Sequence, residues 1–209
     1  MAVLAAETVL TFFAAAVLLG LAPGPDNLFV LTQSTLHGRR AGLMVMLGLC
    51  TGLVVHSLAV AFGVAAVFQA SAVAFSVLKL CGAAYLLYLA WQAFTTRVGS
   101  SSDTRSGSPG RGELYRRGII LNITNPKVSI FFLAFLPQFA DPARGSVAIQ
   151  IILLGGLFII ATFLVFGGVA IAAGSVRVWL LKSDRTQKWL NRLAGVVFIG
   201  LAIRLITAG

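Results

Sequence analysis

Apolar residues come along this chain in long runs, each near the ~20 residues that cross ~30 Å of hydrocarbon, set apart by short polar stretches. Membrane strands would instead show ~10-residue segments of alternating hydrophobicity. The runs predict helices near 8–36, 41–67, 71–94, 118–139, 147–175 and 192–208. Two of them are interrupted. "GLAPGPDNLF" sets Pro23, Gly24, Pro25, Asp26 and Asn27 inside the first, and "LNITNPKVS" sets Asn122, Asn125, Pro126 and Lys127 inside the fourth.

Composition decides the solvent. Only 11% of residues are charged and 58% are hydrophobic, against roughly 25% charged in a soluble domain, and mean hydropathy is +0.95. The expectation is an all-α polytopic membrane protein. No Lys or Arg precedes Arg39, so the first run lacks the basic flank of a cleaved signal peptide and reads as a retained span.

The net charge of +10 does not indicate nucleic acid, because the basic residues are not gathered on one reading face. Twelve of the sixteen lie in alternate connections: Arg39 and Arg40, five from Arg97 to Arg117, and five from Arg177 to Arg192. The positive-inside rule puts these connections in the cytoplasm and both termini outside. Cys50 and Cys81 fall within spans and are expected as small buried hydrophobes. His37 and His56 have no neighbour at ligand spacing, which disfavours a metal site or a metal-ion exporter. No phosphate loop or hydrolytic triad is present, so neither an enzyme nor a cofactor is expected.

The stretch "TTRVGSSSDTRSGSPGRGELYRR" is Ser- and Gly-rich without apolar periodicity and reads as a flexible cytoplasmic linker. It divides the chain into a first three-helix repeat at 1–96, the linker at 97–117 and a second repeat at 118–209. An odd number of spans per half inverts the second half, the plan of many secondary transporters. Pro25-Asp26 and Pro126-Lys127 echo each other at the break of each half, followed by "NLFVL" and "VSIFFL". Six transmembrane helices as two inverted three-helix repeats with broken first helices are therefore expected.

Proline removes a backbone donor and clashes with the preceding turn, and the carbonyls it frees survive at membrane depth only against protein or a water-filled cavity. A polar cavity is expected at residues 22–27, with a half-helix restarting at Asp26 or Asn27 and another at Pro126 capped by Asn125. Ionisable groups inside a membrane are costly and mark function, which singles out Asp26 and Lys127. Pseudo-symmetry would bring them together near the midplane, where Asp26 could also carry a proton. Against this stands a structural role, a kinked helix cap with Asp26 paired to Lys127. Lys79 and His56 are further coupling candidates, although Lys79 could snorkel and His56 could be a helix-packing residue. Gly48 and Gly52, at G-x-x-x-G spacing, permit close helix contact within the chain.

"GLAPGPDNLFVLTQSTLHGRRAGL", "LKLCGAAYLLYLAWQAF" and "GIILNITNPKVSIFFLAFLPQFADP" resemble the LysE/RhtB family of amino-acid exporters, whose members include homoserine/threonine and lysine exporters. The resemblance implies export of amino acids or close derivatives across the bacterial inner membrane, driven by the proton motive force or an ion gradient, with the family's Pro-Gly-Pro on Pro23, Gly24 and Pro25, its acidic position on Asp26 and its Asn-Pro-Lys on Asn125, Pro126 and Lys127. Few acidic groups lie in the spans, so a neutral, threonine- or homoserine-like cargo is expected, with H+ as coupling ion and the lipid bilayer as the other partner. A gated pore lined by the same broken helices, or a scaffold acting through the linker, are the alternatives.

Overall fold

Both proline-bearing runs fold as bent helix pairs. In the computed structural model, which describes residues 3–22, 24–70, 72–95, 109–173 and 184–207, every regular element is helical: α1 (Ala6–Leu21), α2 (Pro25–His37), α3 (Arg39–Ala70), α4 (Ala72–Thr95), α5 (Arg111–Ile123), α6 (Pro126–Ile130), α7 (Val147–Ile171) and α8 (Asp184–Thr207). The α1–α2 pair bends by 59° and α5 meets Pro126–Phe139 at 51°. Within the described residues, Arg39–Gly63 of α3 and α7 are long and apolar enough to cross a membrane, and counting each bent pair as one span makes up to four. The other two expected spans fall on α4 and α8, whose apolar stretches, Leu80–Gln92 and Asn191–Ile203, are shorter. Pro23 and residues 97–108 of the expected linker lie outside the described residues.

Local chemistry sets these boundaries. Pro25 and Pro126 each stand in the first turn of a helix, where a missing N–H costs nothing and φ is already helical. Gly38, at φ 82°, turns the chain sharply between α2 and α3, a conformation that suits glycine. α5 starts at Arg111, inside the stretch expected as linker, because a Glu113–Arg117 ion pair at 2.5 Å supports a polar first turn. Beyond α6 the helix widens into a π turn at Phe131–Phe135 and tightens to a 3-10 turn at Leu136–Phe139. Pro137 has no N–H and its ring opposes the carbonyl four residues back, so the α ladder cannot run through.

Glycines bring α3 against α5. A Cβ on Gly48 would sit 3.0 Å from the Gly118 Cα, and one on Gly52 would sit 2.6 Å from Asn122 Oδ1. Position 48 meets 118 and position 52 meets 122, so the two helices run in the same direction. α1 and α7 also run together, through Phe12 against Phe158 and Gly20 against Val165. α3 and α7 run oppositely, with Gly42 beside Ala170, Met46 beside Gly167 and Ser57 beside Gly155.

Phe12, Phe131, Phe132, Phe135, Phe139 and Phe158 form the core next to the second break, with Phe131 and Phe135 centred 4.8 Å apart and Phe12 and Phe139 5.1 Å. Such aromatic pairs contribute about 0.5–1.5 kcal/mol each beyond area burial and fix α1 to the segment after Pro126. Leu10, Phe62, Leu164 and Ile171 stand on the outer surface, as lipid contact requires. Cys50 is buried, but Cys81 is exposed, correcting the expectation that both are buried; it lies on the face of α4 that the bundle leaves open.

Candidate transport site

α1 ends at Leu21, and the chain turns before α2 begins at Pro25. The last carbonyls of a helix have no partner within it and carry its negative end; left unmet and buried, each would cost ~1–3 kcal/mol. Here they are met from a distance. Lys127 Nζ donates to the carbonyls of Leu19 and Ala22, both at 3.0 Å, and Asn27 Nδ2 donates to Gly20 O at 2.7 Å. The ammonium also lies 5.6 Å from the centroid of the Phe198 ring on α8.

At the second break neutral groups meet the carbonyls, and the side-chain amides turn to the carboxylate of Asp26. Asn122 O accepts from Asn125 N at 3.1 Å and lies 3.3 Å from His56 Nε2, which is its donor in the Nε2–H tautomer. Thr124 Oγ1 donates to Ile120 O at 2.8 Å. The Asn125 side chain caps α6 by accepting from Lys127 N at 3.0 Å, and its Nδ2 donates to Asp26 Oδ1 at 2.9 Å. Asn122 Nδ2 is 3.4 Å from Asp26 Oδ2, so the carboxylate, 5% exposed, is held by two amides of the other half.

Each break is thus engaged by the charged residue that follows the proline of the opposite break: Asp26 after Pro25, Lys127 after Pro126. The expectation that the two approach each other is met only in that they line one cavity. They form no ion pair, because helix-end carbonyls take the ammonium and amides take the carboxylate.

That cavity is small in this conformation, with a volume of about 30 Å³ for the centre of a water-sized sphere. Its lining combines Gly20, Gly24, Asp26, Asn27, Asn122, Asn125, Lys127 and Thr162 with the apolar Leu19, Leu53, Val128, Phe158 and Phe166. Pro25 and Pro126 start helices and do not line it. His56 stands behind Asn122 and packs on Phe132, rings 5.6 Å apart. Pro23 and the side chain of Lys79 lie outside the described residues. Phe158, Thr162, Phe166 and Phe198 were not singled out from the sequence; Thr162, a hydroxyl inside the run "FIIATFLVF", is the one with a legible signal. Asn122 Oδ1 is buried with no partner and lies against Gly52.

A carboxylate and an ammonium presented to one cavity by two broken helices of an apolar helical chain are the marks of a membrane transport protein. The LysE type translocator family model matches residues 8–209, and the chain belongs to that family. It is 35% identical over 191 residues to the homoserine/homoserine lactone efflux proteins of Salmonella typhi and Salmonella typhimurium, covering 91% of this chain and 92% of each relative. An uncharacterized membrane protein of Vibrio cholerae is 34% identical over 200 residues, covering 95% and 96%. No solved structure matches. The chain is a membrane transporter of the LysE family.

Proposed function

We propose that this chain is a secondary active exporter that moves a small neutral amino acid or close derivative, homoserine-like in size, outward across the bacterial inner membrane. Alternating access at the cavity between the broken helices carries the cargo, and the proton motive force drives it. The observation that carries the reading is the crossed closure of the two breaks by Asp26 and Lys127. A zwitterion has the same two charges, so its carboxylate would turn to Lys127 or the start of α2, and its ammonium to Asp26 or the α1 carbonyls. Asp26 is also the carboxylate placed to take a coupling proton. The relatives' names, homoserine and homoserine lactone efflux, favour an uncharged cargo side chain, as do the apolar walls formed by Phe158 and Phe166.

Helix directions support two inverted halves, and the charge of the connections supports a cytoplasmic basic side with both termini outside. Exchanging the halves maps the parallel α3–α5 contact onto the parallel contact of α7 with α1, while the antiparallel α3–α7 pair maps onto itself. A two-fold axis in the membrane plane has this signature.

Efflux of a labelled amino-acid panel from cells expressing the chain, with and without a protonophore, tests the reading. Export of neutral amino acids that collapses with the protonophore is expected. Conduction down a gradient regardless of the protonophore would make the protein a pore, and no movement of any amino acid despite membrane insertion would remove the cargo assignment.

A further inference from the structure

The grip on Lys127 has the form of a ligand site. Two backbone carbonyls, Leu19 and Ala22, accept from one ammonium at 3.0 Å each, and the Phe198 ring stands 5.6 Å from it. Carbonyls at a helix C-terminus carry negative partial charge, and an aromatic face attracts a desolvated cation. Together they recognise a primary ammonium group, whichever molecule supplies it. Gly24 and Lys127 both line the cavity, and a Cβ at position 24 would lie 3.6 Å from Lys127 Nζ, so the glycine adds no side chain over the ammonium at that position.

We propose that this carbonyl cage is the subsite for the ammonium group of the cargo, and that Lys127 occupies it as a tethered stand-in while the cavity is empty. Entry of a cargo ammonium displaces Lys127, which is then free to meet the cargo's carboxylate. One exchange therefore makes both charge contacts and releases the α5–α6 break from α1, so that occupancy by cargo and separation of the halves become one event. Lys127 is the specificity element of this scheme: a cargo without an N–H-bearing cation cannot replace it. The inference rests on the cavity being the cargo site, and it assigns the cargo's two ends.

The test uses purified full-length protein in lipid nanodiscs, titrated with ethylammonium chloride or tetramethylammonium chloride at constant ionic strength. Lys127→Met empties the cage and should bind ethylammonium at least about tenfold more tightly than the unaltered protein, since the tether no longer competes. Tetramethylammonium, with no N–H donor, should not gain. Adding Phe198→Leu to Lys127→Met should weaken ethylammonium binding about 2- to 30-fold, the range of a cation–π contact.

A folded Lys127→Met protein that binds ethylammonium no better than the unaltered one overturns the proposal. So does binding that Asp26→Asn abolishes and Phe198→Leu leaves alone, which would put the ammonium on the carboxylate. If Lys127→Met is not recovered folded, ethylammonium in the purification buffer should recover it and tetramethylammonium should not; failure of that recovery also overturns the cage. Amino-acid efflux without ethylammonium binding removes this inference and leaves the exporter, whereas binding without efflux removes the exporter and, with it, the cage's role as a cargo subsite, leaving only an ammonium-binding cage.

Discussion

Asn125 makes two bonds at the centre of the site, and a swap of side chains separates them. Its Oδ1 caps α6 through Lys127 N at 3.0 Å, and its Nδ2 donates to Asp26 Oδ1 at 2.9 Å. Asn125→Asp keeps the cap, since Asp is as good an N-cap as Asn, but it removes the donor and sets two carboxylates face to face. Asp26→Asn alone leaves the amide of Asn125 facing a neutral partner. The double variant Asp26→Asn/Asn125→Asp restores one amide and one carboxylate with their roles exchanged. A hydrogen bond to a charged group contributes about 1.5–3 kcal/mol, and bonds between membrane helices average about 0.6 and reach about 1.7 kcal/mol. The overlap of these ranges sets the expected coupling in the double-mutant cycle at about 1.5 kcal/mol, with the double variant more stable than the sum of the singles. Reversible unfolding in mixed micelles measures it. A double variant whose loss equals the sum of the two single losses would refute a direct Asp26–Asn125 bond, and with it the crossed closure.

Other perturbations address the remaining contacts. Gly52→Ala puts a Cβ 2.6 Å from Asn122 Oδ1, so it should cost about 1–3 kcal/mol by overpacking and lower efflux by pulling Asn122 from Asp26; unchanged efflux and stability would contradict the α3–α5 contact. Lys127→Ala leaves the carbonyls of Leu19 and Ala22 without their ammonium and should destabilise by ~1–3 kcal/mol, read by the same unfolding assay; a variant as stable as the parent contradicts the assigned bonds. Gly112 and Ala143, both exposed, should react as single cysteines from opposite sides of the membrane, Gly112→Cys from the cytoplasm and Ala143→Cys from outside, in a background lacking the exposed Cys81. Labelling of both from one side would overturn the six-span topology.

The breaks were legible because proline acts through local covalent geometry: the interruptions fall where Pro25 and Pro126 stand, with bends of 59° and 51°, although α2 starts at Pro25 itself rather than at Asp26 or Asn27 as expected. Asn125 as cap was legible for the same reason, being read from the position of its neighbour Pro126. What each charge would bond was not. Lys127 reaches carbonyls more than a hundred residues away, a relation that depends on how α1 packs against α6 and that no local pattern encodes. The polar start of α5 at Arg111 escaped because hydropathy registers apolar runs and is blind to a helix held by Glu113–Arg117. The π turn at Phe131–Phe135 escaped too; Pro137 signals a break in the ladder, but which widening answers it is settled by ring packing among Phe12, Phe131 and Phe158.

Transport by purified protein in proteoliposomes, with labelled homoserine and an imposed pH gradient, compared between the unaltered chain and Asp26→Asn, tests the exporter reading most directly. The account predicts gradient-driven accumulation of homoserine by the unaltered protein and its loss in a folded Asp26→Asn variant. Accumulation at the unaltered rate in that variant, or homoserine movement indifferent to the pH gradient, would contradict a proton-coupled carrier working through the two broken helices.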